Sequence, residues 1–198
     1  MIWQMKTPDG ITDEHLVLQA QEGSEAAFNA LVDRHTTLVY RLAHSITNSS
    51  QEAEDIVQET FLRVFKHLDT FSPSKATFKT WLLAIARNQS INVFSALKRK
   101  ALRFLGDPPE DDRNPHDAGN PFSSQAQDLE TLLATKQEFM RVEQGINGLP
   151  QRQRTALLLK SQEDMTYEEI AIVMKVSVSS VESLIFRARK KLLEVLED

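Results

Sequence analysis

Hydroxyl, carboxylate and basic side chains recur at helical spacing near the carboxyl end of the chain, a combination that can recognise DNA. Side chains of these types hydrogen-bond to base edges in the major groove, and cations hold the phosphates beside it. The residues that face outward when the apolar row is placed inward are Ser179, Ser180, Glu182, Ser183, Arg187, Arg189 and Lys190. The outer face of one helix would therefore present both kinds of contact to duplex DNA.

Two helix caps show where the elements that position this face begin. Thr166 with Glu169 three residues later forms a capping-box pattern, and Ser177 offers a second cap. The inward row that follows Ser177 is Val181, Leu184, Ala188 and Leu192. The pattern predicts a helix-turn-helix. The alternative is a helical hairpin with a solvated basic end, but the agreement of caps, spacing and charge favours DNA binding.

A helix in the front half carries an acidic strip on its outer face. The pattern places Val57, Phe61, Val64, Phe65 and Leu68 on the inner face. The acidic strip consists of residues at positions i, i+3, i+4 and i+7, namely Asp55, Gln58, Glu59 and Leu62. From the residues alone a solvated face is the favoured interpretation, because charged helix faces are common.

The next helix combines aromatic, amide and basic residues. Phe78 and Trp81 are the aromatics, and Asn88 and Asn92 are the amides. The cations are Lys75, Lys79, Arg87, Lys98, Arg99 and Lys100. Because aromatic faces stack on bases and cations follow the backbone, this composition is typical of a site for melted DNA. The alternative, which the pattern favours for Trp81, is that both aromatics anchor the helix in the core.

The whole-chain composition narrows the function classes. The 198 residues include no cysteine, so we expect neither disulfides nor a thiolate zinc site. The five histidines show no ligand spacing, and there is no Gly-rich phosphate loop or nucleophile context, so we expect no metal, no cofactor and no enzyme activity. No apolar run reaches about 18 residues and no signal peptide is recognisable, so we expect a cytoplasmic protein without membrane insertion.

The net charge of −5 does not exclude nucleic acid, because the charge is unevenly distributed. Four cations and no acid lie between Ser95 and Arg103, whereas seven acids and one arginine lie between Asp107 and Glu130. A DNA phosphate is attracted mainly by the protein charges near it, because charges are screened over about 10 Å at moderate salt. The acidic total predicts only that nonspecific DNA binding by the isolated chain is weak.

The chain divides at an acidic, proline-rich segment. Residues 105–125 contain four prolines and two glycines, a composition that favours an extended linker. We therefore expect an all-α protein with a front domain at 1–104, a linker at 105–126 and a back domain at 127–198. Four helices are predicted in the front domain: Asp13–Gln21, a second from Ser24 to a break at Asn48–Ser50, a third from that break to about Leu68, and a fourth over about Thr77–Arg103. In the back domain we expect a helix over Asp128–Ile146, a turn at Gly148–Pro150, a helix to about Lys160 and then the helix-turn-helix.

Both halves resemble bacterial sigma factors of the extracytoplasmic-function group. In the front half the resemblance lies in residues 53–65 (AEDIVQETFLRVF) and 78–88 (FKTWLLAIARN). In the back half it lies in residues 149–157 (LPQRQRTAL), 166–171 (TYEEIA) and 181–189 (VESLIFRAR). The resemblance implies a four-helix region 2 bundle and a helix-turn-helix region 4 domain. It also implies that core RNA polymerase and promoter DNA are the partners, with an anti-sigma factor as a further one.

Carried over by position, the resemblance assigns the surfaces. The acidic strip would dock on the polymerase clamp helices, which overturns the solvated-face interpretation, and 149–159 would help hold the polymerase flap. The loop from Phe71 to Thr77 and the following helix would hold a base flipped from the −10 element. The implied −10 contacts are Lys75, Phe78, Lys79, Arg87, Asn88, Lys98, Arg99 and Lys100. The implied −35 contacts are Ser179, Ser180, Glu182, Ser183, Phe186, Arg187, Arg189 and Lys190.

Three positions depart from the family pattern and bear on promoter sequence. Asn92 stands where the family often has Asp, Glu182 where a basic residue is frequent, and Lys175 where the turn often uses Gly. The main alternative function is a two-domain helix-turn-helix regulator that acts without replacing a sigma subunit. Such a regulator would use the front bundle to dimerise or sense a ligand, and would have no reason to combine the acidic strip with the aromatic-basic helix.

Overall fold

A computed structural model describes residues 11–105, 141–142, 144–161 and 164–197 of the chain. The long helices within these ranges are α1 (Asp13–Gln21), α2 (Glu25–Thr47), α3 (Ser50–His67), α4 (Phe78–Leu105), α5 (Gln151–Ser161), α6 (Tyr167–Met174) and α7 (Val178–Glu197). No strand occurs in the described ranges, and the all-α prediction is confirmed. The predicted linker lies almost entirely outside the described residues, as does most of the helix predicted over Asp128–Ile146, of which residues 141–142 and 144–146 are described and helical.

Local backbone chemistry sets the breaks between the front helices. Ser24 and Ser49 cap α2 and α3, each accepting a hydrogen bond of 3.3 Å from the backbone N–H three residues on. Gly23 at φ +97° separates α1 from α2. Asn48 ends α2 at φ 56°, a left-handed conformation that asparagine tolerates better than most residues. The predicted interruptions at Gly23 and at Asn48–Ser50 are confirmed.

The front helices form a four-helix bundle around α2, which packs against α1, α3 and α4. Its centre is made of fully buried aliphatic and aromatic side chains from three of the helices: Leu31, Val39, Leu42, Ile56, Val64, Phe78, Leu82 and Leu83. Burial of side chains of this size contributes about 1.5–3 kcal/mol each to folding. The bundle therefore holds the outer faces of α3 and α4 in fixed orientations.

One inner-face prediction on α3 is wrong. Phe61, Val64 and Leu68 are buried as expected, but Phe65 is 63% exposed. The inward row of α3 runs through buried positions 53, 56, 60 and 64, and a residue one position further is rotated by about 100° around a helix of 3.6 residues per turn. Phe65 therefore turns outward, where its ring packs edge-on against Phe28 at 5.1 Å between centroids.

The back half contains the predicted helix-turn-helix. Thr166 and Glu169 exchange both hydrogen bonds of a capping box at the start of α6. Ser177 caps α7 by accepting from Ser180 N at 3.2 Å. Between the helices Lys175 adopts the left-handed conformation at φ 53°. Buried side chains from both helices fix their crossing: Ile170, Val173, Met174, Val181, Ile185 and Ala188.

The two halves pack directly against each other. Helix α5 contacts α2, and α6 contacts α4. One continuous cluster of buried apolar side chains joins the front bundle to Ala156 and Leu159 of α5 and Ile170 of α6. This closed arrangement has no counterpart in the sequence pattern, which treats the halves as separate modules. Within the described ranges, no helix combines the length and apolar character that crossing a bilayer requires.

Candidate nucleic-acid and protein-binding surfaces

The acidic strip lies on the outer face of α3, as predicted. Asp55, Gln58, Glu59 and Leu62 are all exposed, Leu62 at 55%. The opposite face of the same helix is sealed into the bundle by Ala53, Ile56, Thr60 and Val64, each no more than 2% exposed. The strip is therefore presented on a helix that cannot rotate without breaking the core.

Polar contacts attach the middle of the strip to neighbouring helices. Arg63 Nε donates to Glu59 Oε1 at 2.9 Å, and the side-chain amide of Gln89 on α4 lies against this pair. The hydrogen bond from Arg63 holds the pKa of Glu59 below its usual value. Glu59 is therefore ionised throughout the neutral range, and the strip keeps its negative charge.

Phe65 adds an exposed aromatic group to the apolar end of the strip. It lies three positions after Leu62, so the two side chains are neighbours on the surface of α3. Both are more than half exposed, although large apolar side chains are usually buried. The sequence pattern does not identify Phe65 as a surface residue, because its apolar row on α3 also fits a register in which Phe65 faces inward.

A polar groove brings part of the strip together with part of the predicted −10 surface. The groove runs between α3 and α4 and has a volume of about 390 Å³. Glu59 of the strip and Asn88 of the predicted −10 set line it together, with Arg63, Lys66 and Asn92. Two sites that were assigned separately from the sequence therefore share a border on one surface.

The structure corrects the role of Phe78, which is fully buried and cannot stack on a base. Its ring contacts His35 at 5.6 Å, Phe71 at 5.8 Å and Trp81 at 6.1 Å between centroids. The reason is its position at the start of α4, where the inward row of the helix begins. Phe78 anchors the helix in the bundle, while Trp81 remains partly exposed beside it.

The remaining −10 residues, which we call the −10 track, are spread along the length of α4 and the loop before it. Lys75 is exposed in the loop before the helix, and Lys79, Arg87 and Asn88 are partly buried. Lys98, Arg99 and Lys100 are exposed towards the far end of α4. Positions 79 and 98 are about 29 Å apart at 1.5 Å per helical residue. The cations are therefore spaced to follow a backbone rather than to surround one group.

Arg87 lies where the track meets the back half. Burial lowers its pKa, and the positive charge of Arg152 on α5 lowers it further. Two like charges from the two halves thus face each other in the closed arrangement. The repulsion is modest because Arg152 is exposed to solvent.

The outer face of α7 carries every residue of the predicted −35 set. We call this the recognition face, and its members are all exposed: Ser179, Ser180, Glu182, Ser183, Phe186, Arg187, Arg189 and Lys190. Val181, Ile185 and Ala188 fix the opposite side, each no more than 2% exposed. Helix α7 therefore projects one polar face away from a firmly packed base.

Within the recognition face, the serines and Lys190 are engaged locally and four other residues are not. Ser177 Oγ lies 2.8 Å from Ser180 Oγ, and Ser183 Oγ donates to the carbonyl of Ser179 at 2.9 Å. The side chains that make no hydrogen bond or ion pair with the described part of the chain are Glu182, Phe186, Arg187 and Arg189. Their functional groups are the ones that a ligand can meet without displacing an internal contact.

Comparison with known proteins places both halves in one family. Residues 31–100 match Sigma-70 region 2, and residues 139–192 match Sigma-70, region 4. The RNA polymerase sigma-H factor of Pseudomonas aeruginosa is 33% identical over 93% of this chain and 94% of its own. The ECF RNA polymerase sigma-E factor of Haemophilus influenzae is 34% identical over 91% of this chain and 93% of its own.

A solved structure shares the fold. The sigma factor RpoE of Bartonella quintana, crystallised with the anti-sigma factor NepR, superimposes with a TM-score of 0.64 at 25% identity. The superposition covers 86% of this chain and 96% of that one. Similarity thus extends through both halves in sequence and through most of the chain in structure.

Proposed function

The chain belongs to the extracytoplasmic-function group of sigma factors, and from that membership we propose how its surfaces direct transcription to a promoter. The acidic strip docks on the clamp helices of core RNA polymerase. The track along α4 holds the −10 element, and the recognition face of α7 reads the −35 element. The protein acts in the cytoplasm as a specificity subunit and carries out no catalysis itself.

The observation that carries this proposal is the pairing of two outward faces on firmly packed helices. The residues of the acidic strip and of the recognition face are all exposed, and the buried rows behind them are each no more than 2% exposed. A regulator that only dimerised through its front bundle would bury or lack the first of these faces. Presentation of both supports a protein that joins polymerase to DNA.

Docking of the strip rests on charge and apolar surface together. Asp55 and Glu59 supply negative charge, which complements a basic partner and accelerates encounter. Leu62 and Phe65 supply exposed apolar area, which contributes about 25 cal/mol for each Å² that the partner covers. Arg63 on the rim restrains Glu59, so less side-chain freedom is lost on binding.

On the −10 side, the proposed contacts are the predicted set without Phe78. Lys75 and Lys79 would hold the phosphates around a flipped base, and Arg87 and Asn88 would contact the strand further along α4. Lys98, Arg99 and Lys100 would follow the upstream backbone. Phe78 contributes by anchoring the start of the helix.

On the −35 side, three of the four residues of the recognition face without an internal hydrogen bond or ion pair would carry most of the sequence preference, namely Glu182, Phe186 and Arg187. Arg187 can donate two hydrogen bonds to guanine, and Glu182 can accept from the amino group of cytosine. Phe186 can pack on a thymine methyl group. Arg189 and Lys190 would hold phosphate, while the serines border the groove.

The domain boundaries and the anti-sigma partner complete the proposal. We assign 1–104 to region 2, 105–126 to the linker and 127–198 to region 4; the family matches at 31–100 and 139–192 fall on either side of that linker. The Bartonella quintana relative is crystallised with an anti-sigma factor. By analogy, an anti-sigma factor would bind this chain and cover its polymerase surfaces.

The test is binding to core polymerase by a strip variant. Gln58→Ala with Glu59→Ala should weaken binding of the full chain to core polymerase by about tenfold or more, a loss of at least about 1.4 kcal/mol. The matched control replaces Asn29 and Asp33 by Ala, which removes an exposed amide and an exposed carboxylate from α2. The control should bind like the unmodified chain.

Two outcomes would contradict the proposal. Equal binding by the strip variant and the control would remove the strip from the polymerase interface. Binding of promoter fragments by the chain alone, as strongly as with core polymerase present, would favour the regulator that acts without polymerase. Both variants change only exposed residues, and the strip variant loses only the exposed contacts of Glu59 with Arg63 and Gln89, so thermal unfolding should change little.

A further inference from the structure

A cavity of about 220 Å³ between α2 and the back half is lined by basic and polar side chains. Helix α2 contributes Tyr40, Arg41 and His44, and the back half contributes Asn147 and Arg154. No carboxylate is among the described residues that line it. Two guanidinium groups and an imidazole without a neighbouring acid create a positive potential that attracts an anion.

Four of the lining side chains have their polar groups available. Tyr40, Arg41, His44 and Asn147 make no side-chain hydrogen bond or ion pair with the part of the chain that the structure describes. The His44 ring stacks on the Tyr40 ring, with 5.9 Å between the centroids. A guanidinium, an amide and a phenol all carry N–H or O–H donors. An oxyanion in the cavity can therefore be bound without breaking an internal contact.

Arg154 supplies a positive charge that is held in place. Its Nε donates to the carbonyl of Ser45 at 3.1 Å, and a terminal nitrogen donates to the carbonyl of Asn147 at 3.3 Å. A side chain that is already restrained loses less conformational freedom when a ligand binds. Burial lowers the pKa of His44, and the positive charge of Arg154 lowers it further. The cavity thus lacks the negative charge that would balance Arg154.

The size and the walls of the cavity limit the ligand. Its volume lies below the range of about 300–1,000 Å³ that is usual for sites of drug-sized molecules. Ile146, Leu157 and Leu158 form an apolar part of the wall, and charges interact more strongly beside apolar groups than in water. Arg41 and Ser161 are exposed, so the cavity is open to solvent on their side. A phosphate group fits these limits, and a substituent on it could extend into solvent.

We propose that this cavity binds a small phosphate-class oxyanion, either free phosphate or the phosphate group of a small metabolite. Arg41 and Arg154 recognise its charge, because guanidinium groups form strong hydrogen bonds with phosphate oxygens. Tyr40 and Asn147 donate to the remaining oxygens.

The cavity is separate from the surfaces of the proposed function. It shares no residue with the acidic strip, the −10 track or the recognition face. Because α2 and the back half line it together, a bound anion stabilises the closed arrangement by mass action. The proposed ligand is thus an effector of this chain in addition to its polymerase and DNA partners.

The test is a titration of the full chain with inorganic phosphate and, separately, with glycerol 3-phosphate. Chloride keeps the ionic strength constant, so that general screening does not change. The imidazole proton resonances are followed by NMR, and His44→Gln identifies the signal of His44. Binding should saturate and should raise the pKa of His44, because a nearby negative charge favours the protonated ring.

Two arginine variants show where the anion binds. Arg41→Ala should weaken the binding of inorganic phosphate by at least about tenfold, because it removes a charged donor from the cavity. The matched control is Arg141→Ala, which removes an exposed arginine that does not line the cavity. The control should bind phosphate like the unmodified chain. Both variants change the net charge equally, and both replace exposed residues, so the fold should be retained.

Three outcomes would overturn the site. The first is that neither small ligand produces a saturable change at His44. The second is equal binding by the Arg41→Ala and Arg141→Ala variants, which would show only general attraction to the charge of the chain. The third is saturation of the His44 signal by a single-stranded DNA oligonucleotide at a lower phosphate concentration than by either small ligand, which would assign the cavity to nucleic acid. Since polymerase is absent from the experiment, none of these outcomes depends on the proposed function.

Discussion

Two phenylalanines that the resemblance places at DNA show how differently the two halves build their surfaces. Phe78 at the start of α4 is 0% exposed, whereas Phe186 on α7 is 70% exposed. The first lies among His35, Phe71 and Trp81, and the second has no ring neighbour within the described residues. The front half uses its aromatic residue to anchor a helix, and the back half leaves one available for a ligand.

The two halves also differ in how accessible their proposed DNA-binding surfaces are in the closed arrangement. The recognition face of α7 is open in the closed chain, while the first turns of α4 are covered by α6 through Thr80 and Glu169. In the closed arrangement the start of the proposed −10 surface is therefore less accessible than the proposed −35 surface.

The largest expected effect is the difference in the free energy of unfolding between variants of the two phenylalanines. Phe78→Ala should lower the free energy of unfolding by about 3–5 kcal/mol, because it removes a fully buried ring and leaves a cavity. Phe186→Ala should change it by less than about 0.5 kcal/mol, because the ring is exposed. Chemical denaturation of both full-length variants measures the two values.

The contrast between the two phenylalanines would be contradicted if the Phe78→Ala variant had the same free energy of unfolding as the unmodified chain. Such a result would mean that the ring leaves the core in solution and is available for stacking on a base. Phe78→Leu provides the intermediate case, since it keeps apolar volume but removes the aromatic ring. It should cost less than Phe78→Ala.

The same contrast marks the limit of what the sequence could predict. The recognition face was predicted residue by residue, because α7 packs on one side and its polar residues must then face outward. The acidic strip followed for the same reason. Phe78 was misassigned because an aromatic residue suits both a protein core and a base-stacking site. Only its burial in the folded chain distinguishes the two. Phe65 was misplaced because a row of apolar residues on α3 allowed two registers.

The packing of α5 against the end of α2, through Gln151 and Arg154, lay beyond the reach of sequence reasoning for a different reason. Its strongest contacts end on the backbone carbonyls of Ser45 and Ile46, which every residue possesses. No residue type or spacing marks a carbonyl as the target of a side chain from another part of the chain. Contacts of this kind depend on how whole helices pack, which local periodicity does not record.

A smaller effect distinguishes base reading from phosphate contact on α7. Arg187→Ala should weaken −35-dependent initiation by about 1–3 kcal/mol if Arg187 contacts a base edge. Arg189→Ala should weaken initiation on all promoters alike and reduce the dependence on salt, because phosphate contacts carry no sequence information. Transcription with core polymerase on promoters with substituted −35 bases compares the two.

One result would contradict a base-reading role for Arg187. If its replacement lowered initiation equally on matched and substituted −35 elements, Arg187 would be a phosphate contact like Arg189. The preference of the back half would then rest on Glu182 and Phe186. Neither residue makes a side-chain hydrogen bond or ion pair with the described part of the chain.

The smallest effect concerns the turn that sets the angle of α7. Lys175 holds φ 53° in the turn, whereas Asn48 holds φ 56° at the end of α2. A left-handed conformation is unfavourable for a residue with a long side chain and less so for asparagine. Lys175→Gly should therefore raise the free energy of unfolding by about 0.5–1 kcal/mol, and Asn48→Gly should raise it less.

Because Lys175 is exposed, promoter preference should not change. Equal gains at both positions would show that the turn of the back half stores no more strain than the helix end of the front.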